Sequence, residues 1–118
     1  MPTTWQDEVL LELRAARKAA RENLVGRSRV SARRAAGRAV KEYFNQFGNR
    51  ELTINFYDLL MEFTREPNLP DDIRTVARHL CQRVNQDHTL PGNIDLIAEA
   101  ERLIQFIEGK IDRQKAEE

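Results

Sequence analysis

Arg83 and His88, five residues apart, are the side chains in this sequence best suited to chemistry. An imidazole titrates near neutrality and can move a proton, while a guanidinium beside it supplies a fixed positive charge. Together they suit cleavage of a phosphodiester, with the imidazole as acid and base and the guanidinium on the phosphate. Arg83 projects about 20° from Val76 on a helical wheel, which puts it at the rim of a buried face. Arg74 and His79 repeat the spacing. Five positions on one helix turn through about 140°, however, so those two cannot converge.

Other chemistries find little support. Cys81 is the single cysteine; it cannot form an internal disulfide and falls near the apolar stripe of its helix, as a structural thiol does. His79 and His88 with scattered acids match no standard zinc spacing, so neither a metal nor a cofactor is expected. The five glycines are isolated and form no phosphate-binding loop. Acid pairs such as Asp71-Asp72 and Glu99/Glu101 are explained by helix termini and solvated faces.

A second candidate is electrostatic. From Arg14 to Lys41 there are ten basic residues and one acid, Glu22. Arg27, Arg34, Arg38 and Lys41 line up on one side of a helix, and Arg14 and Arg21 on the outer side of the helix before it. Such a surface can track a phosphate backbone, each neutralised phosphate releasing counterions. It can equally be a solvated exterior balanced by acids elsewhere. Few aromatic residues interleave with it, so base stacking is not indicated.

The elements that must position these groups are helices. Ala32, Ala35, Ala36, Ala39, Val40, Tyr43, Phe44 and Phe47 recur with helical spacing and give the stretch Arg27 to Phe47 one dry face. Small residues come first and aromatics last, so one end can lie close to a neighbour while the other fills a wider space. Before it, Trp5, Val9, Leu13, Ala16, Ala20 and Leu24 mark a first helix, capped by Thr3 or Thr4 and ended at Gly26. Ser28 or Ser31 is the expected cap of the second. Leu52 to Phe63 predicts a short third helix capped by Thr53 or Asn55, with a strand competing for its first half. Pro70-Asp71-Asp72 opens a fourth, with Ile73, Val76, Ala77, Leu80 and Val84 buried. Asn85 to Gly92 reads as a loop. Asn93 caps a fifth helix whose stripe is Leu96/Ile97, Ala100, Leu103/Ile104, Ile107 and Ile111, with a frayed tail from Asp112.

These patterns predict an all-α fold, an up-and-down bundle of about five helices forming a single domain over 1–118. The 118 residues, 41% hydrophobic and 32% charged, suit one globular unit. Basic and acidic residues balance at 19 each, yet residues 1–50 hold 11 basic and 5 acidic side chains and the remainder 8 and 14. That asymmetry permits self-association or a phosphate-binding patch without an overall basic protein. No apolar run approaches the ~20 residues of a membrane span, and MPTTWQDEV lacks a signal-peptide layout, so a cytoplasmic location without membrane contact is expected. Apolar surface left over by the wide stripes favours a homodimer.

Trp5 with Leu13-Arg14-Ala15-Ala16, the run Ser31 to Phe44 ending Ala39-Val40-Lys41-Glu42-Tyr43-Phe44, Thr53 to Leu60, Leu69-Pro70-Asp71-Asp72 and Ala98-Glu99-Ala100-Glu101 together resemble the HEPN-domain family. These are small all-helical proteins of prokaryotic toxin–antitoxin systems and nucleotidyltransferase partners. The resemblance implies a HEPN-like bundle. Active members carry an Arg and a His at about the place of Arg83 and His88, forming a metal-independent ribonuclease site across a dimer. It also implies an RNA or nucleotide ligand and a nucleotidyltransferase or antitoxin as partner chain. Val84 stands where catalytic members commonly have a polar residue, and inactive members serve as binding bundles. A non-catalytic helical interaction module is therefore the alternative expectation. A DNA-binding accessory protein using Arg34 and Arg38 is a third.

Overall fold

In the computed structural model, residues 4–48, 55–81 and 95–117 are described, and within them the chain forms five helices and no strand. They are α1 (Trp5–Arg21), α2 (Val25–Phe47), α3 (Phe56–Thr64), α4 (Asp71–Cys81) and α5 (Leu96–Glu117). The all-α bundle expected from periodicity is what the chain adopts. Helix α2 packs against α1, α3 and α5, and α4 closes the ring between α3 and α5.

The sequence of α2 explains its central place. Ala32, Ala35, Ala36 and Ala39 are fully buried, and side chains this small let neighbouring backbones approach closely. At the other end Phe44 and Phe63 cross edge-on at 6.4 Å, and Tyr43 meets Phe63 at 5.2 Å and 87°. Edge-to-face pairs of this kind contribute about 0.5–1.5 kcal/mol beyond their burial. Phe47, expected on the same dry face, is 40% exposed, with its ring 5.0 Å from that of Tyr43.

The chain reversal between α1 and α2 differs from the expected one. Helix α1 is opened by a capping box: the Thr4 side chain accepts from the Asp7 amide, and the Asp7 carboxylate accepts from the Thr4 amide. It ends before Gly26. Asn23 takes the left-handed conformation, φ 61°, while the Asn23 and Leu24 amides bond back to Ala20 and Ala19. This is the double-bonded terminus that glycine usually supplies and asparagine tolerates. Gly26 therefore lies in the first turn of α2, which starts two residues earlier than expected. Ser28 and Ser31 are buried within that helix and cap nothing; the N-cap position is Leu24, without a side-chain bond. In α1 the buried stripe ends at Ala19, leaving Ala20 and Leu24 exposed.

Asn55 caps α3, accepting from the Asp58 amide, and Leu59, Leu60 and Phe63 are buried. The expected start at Leu52 and the alternative cap Thr53 lie outside the described residues. So do Val84, the loop Asn85 to Gly92 and the cap Asn93. The first turn of α5 is instead held by Asp95, whose carboxylate accepts from the amides of Ile97 and Ala98. Leu96, Ala100, Leu103, Ile104, Ile107 and Ile111 are buried as the stripe predicts. The helix continues through the expected tail to Glu117.

Cross-helix contacts give the acids a use beyond solvation. Asp72 pairs with Arg102, Glu101 with Arg17, and Glu99 meets His79 Nδ1 at 2.6 Å, so α5 is fastened to both α1 and α4. From α2, the Arg33 Nε–H donates to the carbonyl of Leu80 at 2.6 Å. That bond satisfies one of the carbonyls a helix C-terminus leaves unpaired. Burial pulls the Arg33 pKa below its ordinary value.

Candidate nucleic-acid interface on the first helical hairpin

Helices α1 and α2 form an antiparallel hairpin. Glu8 pairs with Arg38 across it, and with the reversal at Asn23 this sets Glu12 level with Arg34. On the outer side a groove of about 380 Å³ is lined by Glu8, Leu11 and Glu12 from α1, Arg34, Arg38 and Lys41 from α2, and Phe56 from α3. Three of the four residues of the α2 stripe predicted to bear charge, Arg34, Arg38 and Lys41, line this groove; Arg27 does not.

Phe56 reaches the floor because Gly37 has no side chain. A Cβ built on Gly37 would stand 2.5 Å from Phe56 Cβ and 2.8 Å from two atoms of its ring. No real methyl tolerates that approach, so glycine here is a steric requirement and sets how closely α3 lies on α2.

The six basic residues predicted to hold a backbone divide into three situations. Arg21 and Arg27, beside the turn, and Arg14, at the middle of α1, are exposed and form no ion pair with any described residue. Arg34 and Lys41 are likewise exposed and unpaired among the described residues, but they share the groove with two carboxylates. Arg38 is spent within the fold, its side chain 22% exposed and held between Glu8 and Glu42. Its charge is neutralised twice over, so Arg38 is a strut of the hairpin and not a free phosphate ligand.

The two candidate catalytic residues, Arg83 and His88, lie outside the described residues. The pair with the same spacing is separated as the helical wheel requires. Arg74 donates to the carbonyl of Glu66 at 2.9 Å, and His79 turns to Glu99 on α5. Cys81 is buried, and burial pushes its thiol pKa up to about 11, with Arg33 opposing the shift. At that value almost no thiolate exists at neutral pH, which suits a structural role. Among the described residues no three His, Cys, Asp or Glu side chains gather as metal ligands, and no helix is long and apolar enough to cross a membrane.

Sequence patterning does not single out Glu8, Leu11, Glu12 and Phe56. A signal is present for three of them. Glu8, Leu11, Glu12 and Ala15 recur at i, i+3, i+4 and i+7, a second and weaker seam beside the buried stripe of α1. Leu11, at 59%, is the most exposed large apolar side chain among the described residues. No family model, curated protein or solved structure matches this chain.

Proposed function

We propose that this protein binds RNA along the outer face of the α1–α2 hairpin and cleaves it with Arg83 and His88. The observation that carries the binding half is a set of unpaired cations running from the middle of α1 to the turn. Arg14, Lys18, Arg21 and Arg27 are exposed, within a stretch holding one acid, and none pairs with a described carboxylate. Most other arginines of the first two helices are engaged: Arg17 by Glu101, Arg38 by Glu8 and Glu42, Arg33 by the Leu80 carbonyl. Cations kept apart from carboxylates retain their attraction for phosphate.

The cleavage half rests on sequence and on the resemblance to HEPN-domain ribonucleases. His88 takes the proton of the ribose 2′-hydroxyl, whose oxygen attacks the adjacent phosphorus. The bond to the 5′-oxygen breaks, that oxygen leaves with the proton that His88 returns, and a 2′,3′-cyclic phosphate remains. Arg83 holds the charge that gathers on the phosphate oxygens. The nucleophile is internal to the substrate, so this route needs no cofactor.

Two measurements separate the halves. Affinity for single-stranded RNA should fall with salt, the slope easing by about 0.7 for each phosphate no longer neutralised. Arg21→Ala with Arg27→Ala should ease it by about 1.4. Binding unaffected by salt or by that pair rejects the RNA surface. Wild-type protein should cleave mixed RNA, and Arg83→Ala and His88→Ala should not; equal cleavage by all three, or none by wild type, rejects the enzyme.

A second reading, a helical module that binds another chain, is favoured by the groove. Its mixed charges and exposed Leu11 suit a protein surface better than a polyanion.

A further inference from the structure

Phe47 is the aromatic side chain of α2 that the core leaves out. One side of its ring leans on Tyr43, and the rest of the side chain faces outward. Helices α2 and α5 run parallel, since their starts meet at Val25 and Leu96 and their ends at Phe47 and Lys110. At that far end a second groove, of about 390 Å³, is lined by Phe47 from α2 and by Lys110, Arg113 and Gln114 from α5. It lies about 33 Å along α2 from the cations at the turn.

Each polar side chain of this groove offers donors, and no carboxylate lines it. Lys110 and Arg113 have no ion partner among the described residues. Lys110 Nζ stands 5.9 Å from the Phe106 ring, a contact that positions the charge without neutralising it. Gln114 Oε1 is shut off from solvent, so the end of that amide left for a ligand is its NH2 group. The nearest acids along α5, Glu108 and Asp112, are each turned about 160° from Lys110. This separation occurs in the part of the chain, residues 51–118, where acids outnumber bases 14 to 8. The dipoles of the two helix ends place about half a negative charge each beside the cations. Two unit charges exceed that, so the groove stays positive.

We infer that this groove binds a small aromatic acid, a flat ring system bearing one carboxylate. The ring covers the exposed part of Phe47, offset or edge-on as aromatic pairs prefer. The carboxylate takes the planar fork of Arg113 and the ammonium of Lys110, with the Gln114 NH2 as a further donor. A bare anion would leave Phe47 in water, and an uncharged ring would leave both cations without a partner. A nucleic-acid strand calls for a track of cations, which two on one helix end do not make. The groove is open and the ligand small, so the dissociation constant is about 0.1–1 mM.

The test is a titration of the isotope-labelled full chain with naphthoate, read by amide shifts in NMR. Wild type should show saturable shifts at the ends of α2 and α5, half complete at about 0.1–1 mM. Acetate carries the charge without the rings, and naphthamide the rings without the charge. Each should bind about tenfold more weakly or worse. Lys110→Gln and Arg113→Gln should each weaken naphthoate binding about fivefold or more. Phe47→Ala should weaken it about threefold or more. Neither cation is paired within the described fold, so the two charge variants should melt as wild type does. Several results overturn the inference: no saturable shift, acetate or naphthamide binding as tightly as naphthoate, or any of the three variants binding as wild type does. Adenosine monophosphate binding more tightly than naphthoate also overturns it, in favour of a nucleotide. Arg21→Ala/Arg27→Ala should leave naphthoate binding unchanged, so failure of the RNA reading and failure of this one are distinguishable.

Discussion

Gly37 shows how one absent methyl group determines a contact between elements. Its neighbour Phe56 sits where a Cβ would go, so Gly37→Ala must either push α3 outward or bend α2. Overpacking of this sort costs about 1–3 kcal/mol, whereas alanine returns up to about 1 kcal/mol as the better helix former. The loss should win: urea denaturation of Gly37→Ala should give a net destabilisation of about 1–2 kcal/mol. A stability equal to or above wild type would show that Phe56 yields freely. The sequence marks Gly37 only as a helix weakener on a small-residue helix. Its partner lies in a segment that reads as helix or strand, so nothing in the sequence pairs the two.

At the scale of elements, the helices are legible in the sequence and their junctions are not. A buried stripe needs only 3.6-residue periodicity, and Val9, Leu13 and Ala16, or Leu103, Ile104, Ile107 and Ile111, carry it without ambiguity. A junction turns on a single backbone conformation that several residue types can adopt. Gly26 is the conventional helix stop, yet the left-handed residue is Asn23, three positions earlier. Ser28 and Ser31 have the chemistry of caps, but their small volume is used inside the bundle instead. The groove is hidden from sequence for a related reason. It depends on which residues of α1 and α2 stand level, and that is set by Asn23 and by the Glu8–Arg38 pair, 30 residues apart. The reversal can be tested directly. Asn23→Gly should raise stability by about 0.5 kcal/mol, since glycine adopts positive φ freely, and Asn23→Val should lower it by about 1–2 kcal/mol. Thermal melts with the opposite order would place the left-handed residue elsewhere.

Across the whole molecule the uneven charge becomes cohesion as well as a surface for ligands. Acids of the C-terminal part reach back to earlier helices, as Glu101 does to Arg17, while the hairpin keeps unpaired cations at its turn. Opening of the assembled bundle has a built-in reporter in Cys81. Its thiol is buried and its pKa raised from 9.0 to about 11. A group whose pKa is higher in the folded chain contributes stability that is complete below pH 9.0 and lost as pH climbs towards 11. Iodoacetamide at pH 8 should therefore label native protein far more slowly than protein in urea, and stability should decline across that alkaline window. Equal labelling in both states would mean that the thiol is reached without unfolding.

The bond from Arg33 to the Leu80 carbonyl has a consequence for the end of α4. It ties the last turn of α4 to the central helix through a half-buried guanidinium. A sideways slip of α2, whether from a substitution or from something seated on its outer side, would tug on that tether. Displacement of the hairpin thus has a mechanical route to the last turn of α4.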